Sequence, residues 1–331
     1  MTAPLSDLPS QILVAIPALN EAAHIKACLR SLLTGDPSLA EVDMVVADGG
    51  SHDETRAIVS ALSEQHANIT LIDNPGRIQS AGVNAVVAGA KPPHKILVRC
   101  DAHAIYPPGY VLDVARQLID RDVQGLATTL DAKGQTCFAK GAAWIVDTPL
   151  GSGGSGHRGG TKSGYVDHGH HAGLDINWFR KIGGYDVTLP INEDADYDTR
   201  LRQAGGRIWL AADIRVDYQM RPTPMGLARQ YWRYGVGRAQ TTLKNRTRPA
   251  VRQILPALNA ALLAFSLLLT LVSPLFWAFP LFYIACAIAV SVWIAFRNRS
   301  SCGLSAGLAM MIMHLSWGIG YLVGIARGAR R

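Results

Sequence analysis

Along the first 130 residues, short apolar, β-branched runs alternate with stretches whose apolar positions recur every three to four residues. The runs Ile12–Ile16, Val42–Ala47, Ile69–Ile72, Lys95–Arg99 and Gly125–Leu130 predict strands. Between them, Ala22–Leu33, Asp53–Gln65, Ser80–Gly89 and Pro108–Arg121 predict helices. That rhythm builds βαβ units, and so an α/β, Rossmann-like domain with a mainly parallel sheet and helices on both faces. The pattern changes beyond residue 250. Ile254–Leu271, Leu275–Phe296 and Gly303–Ala326 are apolar stretches of 18, 22 and 24 residues without a charge. A helix needs about 20 such residues to cross the hydrocarbon core. Two or three C-terminal transmembrane helices are therefore expected, at about 254–272, 275–296 and 303–326. Ser273-Pro274 would turn the first two into a hairpin. Gly303-x-x-x-Gly307 and Gly320-x-x-x-Gly324 would let the third approach its neighbours closely.

Charge adds a boundary. All 25 Asp and Glu lie at or before Asp217, with 19 Lys and Arg, a net charge of −6. The remaining 114 residues carry 13 Lys and Arg and no acid. The expected division is a cytoplasmic domain over 1–217, a basic amphipathic segment over 218–252 and a membrane region over 253–331. Eight of the thirteen bases (Arg221 to Arg252) immediately precede the first long apolar run. That placement suits a juxtamembrane segment on anionic lipid and argues against nucleic acid. From Met225 to Arg248 the bases are interleaved with Leu227, Tyr231, Trp232, Tyr234 and Val236. This is either an interfacial helix or a linker helix with a solvated basic face. Three full crossings would leave Arg327, Arg330 and Arg331 outside, against the positive-inside tendency. Either those charges are tolerated or one segment is re-entrant or interfacial. The five scattered cysteines show no CxxC, so neither a disulfide framework nor a zinc site is expected, which fits a reducing compartment. Ile12–Ile16 is too short, and lacks the basic flank, for a signal peptide.

In open α/β sheets, ligands bind beyond the carboxyl ends of the strands. After the first strand, Pro17-Ala-Leu-Asn20-Glu21 would offer open helix-start amides to phosphate or a base edge, or Asn20 would simply cap the helix. The absence of GxGxxG argues against a dinucleotide oxidoreductase. After the second, Asp48-Gly-Gly-Ser51-His-Asp53-Glu54 contains a capping box, Ser51-x-x-Glu54, which leaves Asp48 unexplained at a strand tip where a base or ribose can bind. After the fourth, Asp101 and His103 share a face if the strand continues. Such a pair can ligate Mn²⁺, or Mg²⁺ through the carboxylate, although short pairs also arise by chance.

Further on, Glu193, Asp194, Asp196 and Asp198 crowd four carboxylates into six residues, a repulsive arrangement. Glu193 and Asp196 suit a helix N-terminus. A carboxylate beside a cation and an acceptor hydroxyl would make a general base. Gly151–Ser163 fails the P-loop spacing and reads as a loop bordering an acceptor cleft. His168-x-His170-His171 has no acid or cysteine nearby in sequence to complete a metal set, and reads as acceptor-side or merely polar.

These four elements, in this order, resemble family-2 glycosyltransferases of the GT-A fold, over about residues 11–247. Asn74-Pro-Gly-Arg77, Arg99-Cys-Asp101-Ala-His103-Ala and Asn192–Asp196 resemble bacterial exopolysaccharide members in particular. The resemblance implies that Asp48 contacts the nucleotide base, with Pro17, Asn20, Glu21 and Arg77 on the donor. Asp101 would hold Mg²⁺ or Mn²⁺ on the donor diphosphate, with His103 in the second position of the DxD element. Asp194 would be the catalytic base, next to Glu193. Gln230-x-x-Arg233-Tyr234 resembles QxxRW, an acceptor and diphosphate element. Tyr in place of Trp makes a processive synthase the less expected outcome. The implied reaction is inverting transfer of a sugar, glucose from UDP-glucose, to a polyprenyl-diphosphate-linked saccharide. The implied place is the bacterial inner membrane, multi-pass, with membrane lipids as partners. Two other readings remain at this stage, a polyprenyl-phosphate sugar transferase and a non-catalytic membrane assembly subunit.

Overall fold

In the structure, a computed structural model, residues 7–328 are described; Arg330 and Arg331 lie outside the described residues. All five expected strands form, with the four intervening helices. The order is β1 (Ile12–Ala18), α1 (Ile25–Leu32), β2 (Asp43–Asp48), α2 (Thr55–Gln65), β3 (Ile69–Asp73), α3 (Gln79–Ala88), β4 (Ile96–Arg99), α4 (Tyr110–Asp120) and β5 (Gly125–Lys133). Next come α5 (Cys137–Val146), a short α6 (Pro149–Ser152), β6 (Gly164–Tyr165), β7 (His170–Asp175), α7 (Ile176–Lys181), α8 (Glu193–Gln203) and β8 (Ile208–Gln219). One sheet results, in the order β3-β2-β1-β4-β7-β5-β8-β6. The β3-β2-β1-β4 half is parallel, while β7 runs antiparallel to β4 and β5 and β6 antiparallel to β8. Ile12–Ile16 and Ile96–Val98 are buried throughout. A parallel strand covered on both faces needs an unbroken apolar run, which is why these strands lack alternation.

The chain divides into two compact units. One takes the chain through Leu130 together with Thr161–Asp217; the other takes Asp131–Gly160 together with Tyr218 onward. The first has its core between the sheet and α3, α7 and α8, through Leu13, Val83, Val86, Leu97, Leu174, Phe179, Tyr197 and Leu201.

The second unit is helical: α5 and α6, then α9 (Pro224–Lys244), α10 (Val251–Leu269), α11 (Ala278–Arg297) and α12 (Ala306–Gly328). Three segments, Val251–Leu269, Pro274–Arg297 and Ser301–Gly328, are long and apolar enough to cross a membrane. Phe265, Leu268, Phe282 and Phe296 stand exposed on them, the pattern expected of helices that face hydrocarbon. Both expected small-residue spacings sit at helix contacts. A side chain at Gly307 would strike the Ala287 carbonyl, and one at Gly320 the Trp232 carbonyl. Likewise Gly235 faces the Trp317 carbonyl, so α9 packs along α12 and is more than a linker. Its Thr223 cap accepts from the Gly226 amide at 3.2 Å, and Pro224 sits where a missing N–H is harmless.

The expectation that all five cysteines stand apart is corrected here. Cys137, at the start of α5, is disulfide-bonded to Cys302, while Cys28, Cys100 and Cys286 are free. The pair is 165 residues apart in sequence, so spacing along the chain carried no sign of it. Gly141 allows the approach: a side chain there would strike Ser305 and come within 2.8 Å of the Cys302 carbonyl.

Candidate active site

The ends of β1 and β2 are laced together. The Asp48 carboxylate accepts from the Gly50 and Ser51 amides (3.0 and 3.1 Å), from the Ser51 hydroxyl (2.5 Å) and from Arg56 Nη1 (2.8 Å). Its side chain is 0% exposed. Burial raises its pKa, but these donors outweigh that and hold it below the usual carboxylate value. Gly50 takes φ +85°, a conformation that only glycine adopts without strain, and so lets the chain fold back over Asp48. The capping box is not formed. Ser51 turns to Asp48, and Glu54 precedes α2 without a side-chain cap. Nor does Asn20 cap a helix, because α1 begins only at Ile25. Instead the Asn20, Glu21 and Ala22 amides donate to Ser51, Thr55 and Asp53 at 2.8, 2.8 and 3.1 Å, so they are not open to phosphate. Asn20 Oδ1 in turn accepts from the His52 amide at 2.9 Å. Pro17 lies just before the end of β1. Arg77, exposed and at φ +59°, sends Nε to the Gly49 carbonyl at 3.2 Å. A free cationic edge therefore borders the Asp48 turn.

β4 ends at Arg99, whose side chain is 7% exposed. Its Nη2 lies 3.4 Å from Asp101 Oδ1 and 3.6 Å from Glu193 Oε1. A single buried guanidinium thus joins two elements that are 92 residues apart by number. Asp101 is 22% exposed and also accepts from Gln79 Nε2 at 2.8 Å, with His170 Nε2 3.4 Å from its other oxygen. Burial disfavours its charge, but Arg99, His170 and His103 outweigh that, and its pKa falls far below the usual range. The expectation that Asp101 and His103 share a continuing strand face is corrected. The chain turns after Arg99, with the Ala104 amide on the Asp101 carbonyl at 3.1 Å. His103, 57% exposed, leans toward Glu21 at 3.3 Å. Among the described residues, no three His, Cys, Asp or Glu side chains converge on a metal position. A divalent ion bound at Asp101 would need donor or water oxygens to complete most of its shell.

The acidic run opens α8, with Glu193, Asp194 and Asp196 in its first turn, where the helix dipole favours them. Asp196 is bound by Arg200 at 2.8 Å, an i,i+4 pair. Burial raises the Glu193 pKa, and Arg99 only partly opposes this. Asp194 goes the other way. Burial raises it, but His168, His171 and Arg99 together hold the carboxylate ionised.

The sequence did not single out Asp198 or the role of the histidines around it. Asp198 Oδ1 is 2.6 Å from His171 Nε2 and Oδ2 is 2.7 Å from His168 Nδ1; His171 Nδ1 meets the Tyr185 hydroxyl at 2.5 Å. The acids that His168-x-His170-His171 lacked in sequence arrive from elsewhere: Asp198 for His168 and His171, Asp101 for His170. Two signals were available. Asp194 and Asp198 are one helical turn apart, and neighbouring strand residues such as His170 and His171 face opposite ways. Gln230, Arg233 and Tyr234 lie on α9, in the second unit. Gln230 Nε2 donates to the Tyr218 and Tyr234 hydroxyls, and Arg233 is exposed.

A mostly parallel sheet with carboxylates gathered at strand ends, followed by three long apolar helices, describes a nucleotide-sugar-dependent glycosyltransferase of the GT-A type. The chain belongs to glycosyl transferase family 2, whose pattern residues 13–183 match. It is 38% identical over 311 residues, 93% of each chain, to the succinoglycan biosynthesis protein ExoA of Rhizobium meliloti (strain 1021). Its fold is similar to that of the mannosyltransferase PcManGT from Pyrobaculum calidifontis, solved in complex with GDP-Man and Mn²⁺. That similarity has a TM-score of 0.60, covers 92% of this chain and 87% of that one, and comes with 19% sequence identity.

Proposed function

We propose that this glycosyltransferase works at the bacterial inner membrane in exopolysaccharide assembly. It would move glucose from UDP-glucose to a polyprenyl-diphosphate-linked saccharide, with inversion. The observation that carries this reading is Arg99, which ties the Asp101 carboxylate to the acidic start of α8 and so sets a donor-side acid beside a candidate base. The likeness to a succinoglycan biosynthesis protein supports the polymer, and the three long apolar helices support the membrane.

In this reading Asp194, held ionised, accepts the proton of the acceptor hydroxyl as that oxygen bonds to the anomeric carbon. The bond from that carbon to the donor diphosphate breaks on the opposite face, and the nucleoside diphosphate leaves. Asp101 with His103 would hold Mg²⁺ or Mn²⁺, which when bound supplies positive charge to the departing diphosphate. Asp48 acts from behind, by shaping the Gly49–Ser51 turn against the donor, with Pro17, Asn20 and Glu21 completing that wall and Arg77 beside it. Glu193 fixes Arg99. Arg233 and Tyr234 are assigned to the acceptor's diphosphate, with Gln230 orienting the Tyr218 and Tyr234 hydroxyls beside it.

Detergent-solubilised protein is to be incubated with labelled nucleotide sugars and lipid-linked acceptors. Transfer from UDP-glucose is expected, lost in Asp194→Asn with UDP binding retained. General-base assistance contributes about 10²–10⁴ in rate, so near-normal turnover by Asp194→Asn would remove Asp194 from the role.

A further inference from the structure

In the second unit, the segment between α5 and β6 lays a cation on an aromatic platform. The Arg158 guanidinium lies 4.4 Å from the centroid of the Tyr218 ring. Tyr231 and Tyr234, with centroids 5.7 Å apart, bear on it as well. Burial opposes the charge of Arg158, and the three tyrosines more than restore it. Among the described residues, no carboxylate forms a salt bridge with Arg158. The unit as a whole carries two acids, Asp131 and Asp147, against 16 Lys and Arg. Asp147 Oδ2 is engaged by the Ala132 amide at 3.3 Å.

Hydrogen bonding leaves the platform a donor. Gln230 Nε2 gives one bond to the Tyr218 oxygen (2.7 Å) and one to the Tyr234 oxygen (3.0 Å). A primary amide nitrogen has two protons, and both serve as donors here, so Tyr218 keeps its own proton to donate. The Tyr234 oxygen is 3.5 Å away, the outer limit of a bond. All these side chains are half-buried, and so open on one side.

The segment that carries Arg158 begins against the first long apolar helix. At Gly153, φ +64°, a Cβ would lie 3.2 Å from Arg252 Cβ, at the start of α10. The exposed flank of α10 includes Phe265 and Leu268. One unit thus holds a stacked guanidinium, a phenolic donor and an apolar surface, the complement of an anionic head on an apolar tail.

We infer that Arg158, on the Tyr218 platform, recognises the diphosphate of an amphiphilic ligand, its N–H edge forking to phosphate oxygens while Tyr218 donates to another. This deepens the lipid-linked acceptor reading above and rests on it. Arg suits the task and Lys does not, because a planar guanidinium can stack on a ring and still present a bidentate edge. A nucleoside diphosphate carries the same chemistry, so the donor is the competing source.

The test uses the full-length protein in detergent with farnesyl diphosphate, farnesyl monophosphate, farnesol and UDP as probes, each in equilibrium binding. Farnesyl diphosphate should bind more tightly than the monophosphate, and farnesol weakest. R158Q should weaken farnesyl diphosphate about ten- to a hundredfold, the range for a lost charge-assisted pair. R158K, which keeps the charge, should fall in between, and Y218F, which keeps the ring, should lose a few-fold. UDP affinity should not move in any of them. Unchanged farnesyl diphosphate affinity in R158Q and R158K overturns the inference. So does a fall in UDP affinity instead, which would give Arg158 to the donor. Failure of the broader reading looks different: wild-type protein would transfer no sugar to any lipid-linked acceptor, while its R158Q-sensitive binding of farnesyl diphosphate persisted.

Discussion

Replacing Asp198 by Asn tests the buried network behind the candidate base. Asp198 and His171 are each 1% exposed in their side chains, so solvent does not screen the contact between them. Burial raises the Asp198 pKa, yet His171 and His168 bring it from 3.8 down to about 2. A tenfold change in proton affinity is worth about 1.4 kcal/mol, so this lowering stabilises the fold by roughly 2 kcal/mol at neutral pH. Breaking a buried pair also strands the partner, which commonly brings the loss to about 3–5 kcal/mol. An Asn amide oxygen still accepts one bond, so Asp198→Asn should cost about 2–4 kcal/mol. For a unit of this size that lowers the melting temperature by about 4–16 °C. The pH dependence has a definite sign. The Asp198 pKa is depressed on folding, so its contribution is present above the unfolded value of 3.8 and is lost as pH falls toward 2. The His171 pKa is raised, because Asp198 outweighs the burial that would lower it. Its contribution is full below 6.5 and is lost as pH rises through the folded value. Thermal melts in detergent, followed by tryptophan fluorescence from acid to mildly alkaline pH, would read both limbs. A variant that melts within a degree of wild type at pH 7, or keeps the same acid limb, refutes the argument.

Two further outcomes follow from separate parts of the molecule. Chelation should stop transfer and Mn²⁺ or Mg²⁺ should restore it, with Asp101→Asn needing far more metal; full activity in EDTA would dismiss a metal role for Asp101. Gly320→Leu drives a branched side chain into the Trp232 carbonyl and should loosen α9 from α12 at a cost of about 1–3 kcal/mol. Faster proteolysis within α9 would report it. Gly164→Ala, which meets nothing within 4 Å, serves as the neutral comparison.

The elements that sequence makes legible are those whose burial is one-dimensional. Ile12–Ile16 and Ile96–Val98 are apolar runs because both faces of a parallel strand are covered. The three apolar helices are legible because their length alone matches a membrane. Contacts between distant segments were not legible. Cys137 and Cys302, or His171 and Asp198, meet only once the sheet and helices are assembled, and no local spacing encodes that. Gly151–Ser163 reads as one loop, yet its first ten residues belong to the helical unit and its last three to the sheet unit. Capping failed as a guide at Ser51 because the buried carboxylate of Asp48, three residues earlier, is a stronger attractor than a helix end, being charged.

Arg99 shows why the candidate catalytic elements form one system. It closes β4, where Ile96, Leu97 and Val98 are buried and the next apolar residue would be the natural choice. A cation there loses its hydration, and such a cost is tolerable only when opposite charge is held close. Two carboxylates approach it, at 3.4 and 3.6 Å, and they respond unequally. Asp101, partly exposed and aided by His170 and His103, ionises readily. Glu193, deeper, is raised by burial and by its neighbour Asp194. The guanidinium is therefore matched first by Asp101, and Glu193 yields charge most easily when the negative field around it grows. Asp194, the next residue, is held ionised by His168 and His171 ahead of Arg99. The histidines of β7 and its approach thus sustain the candidate base, while Arg99 sustains Asp101, the proposed donor-side acid. Without that separation of counter-charges, the crowded carboxylates of α8 would share protons, and none would be fixed as a base at neutral pH.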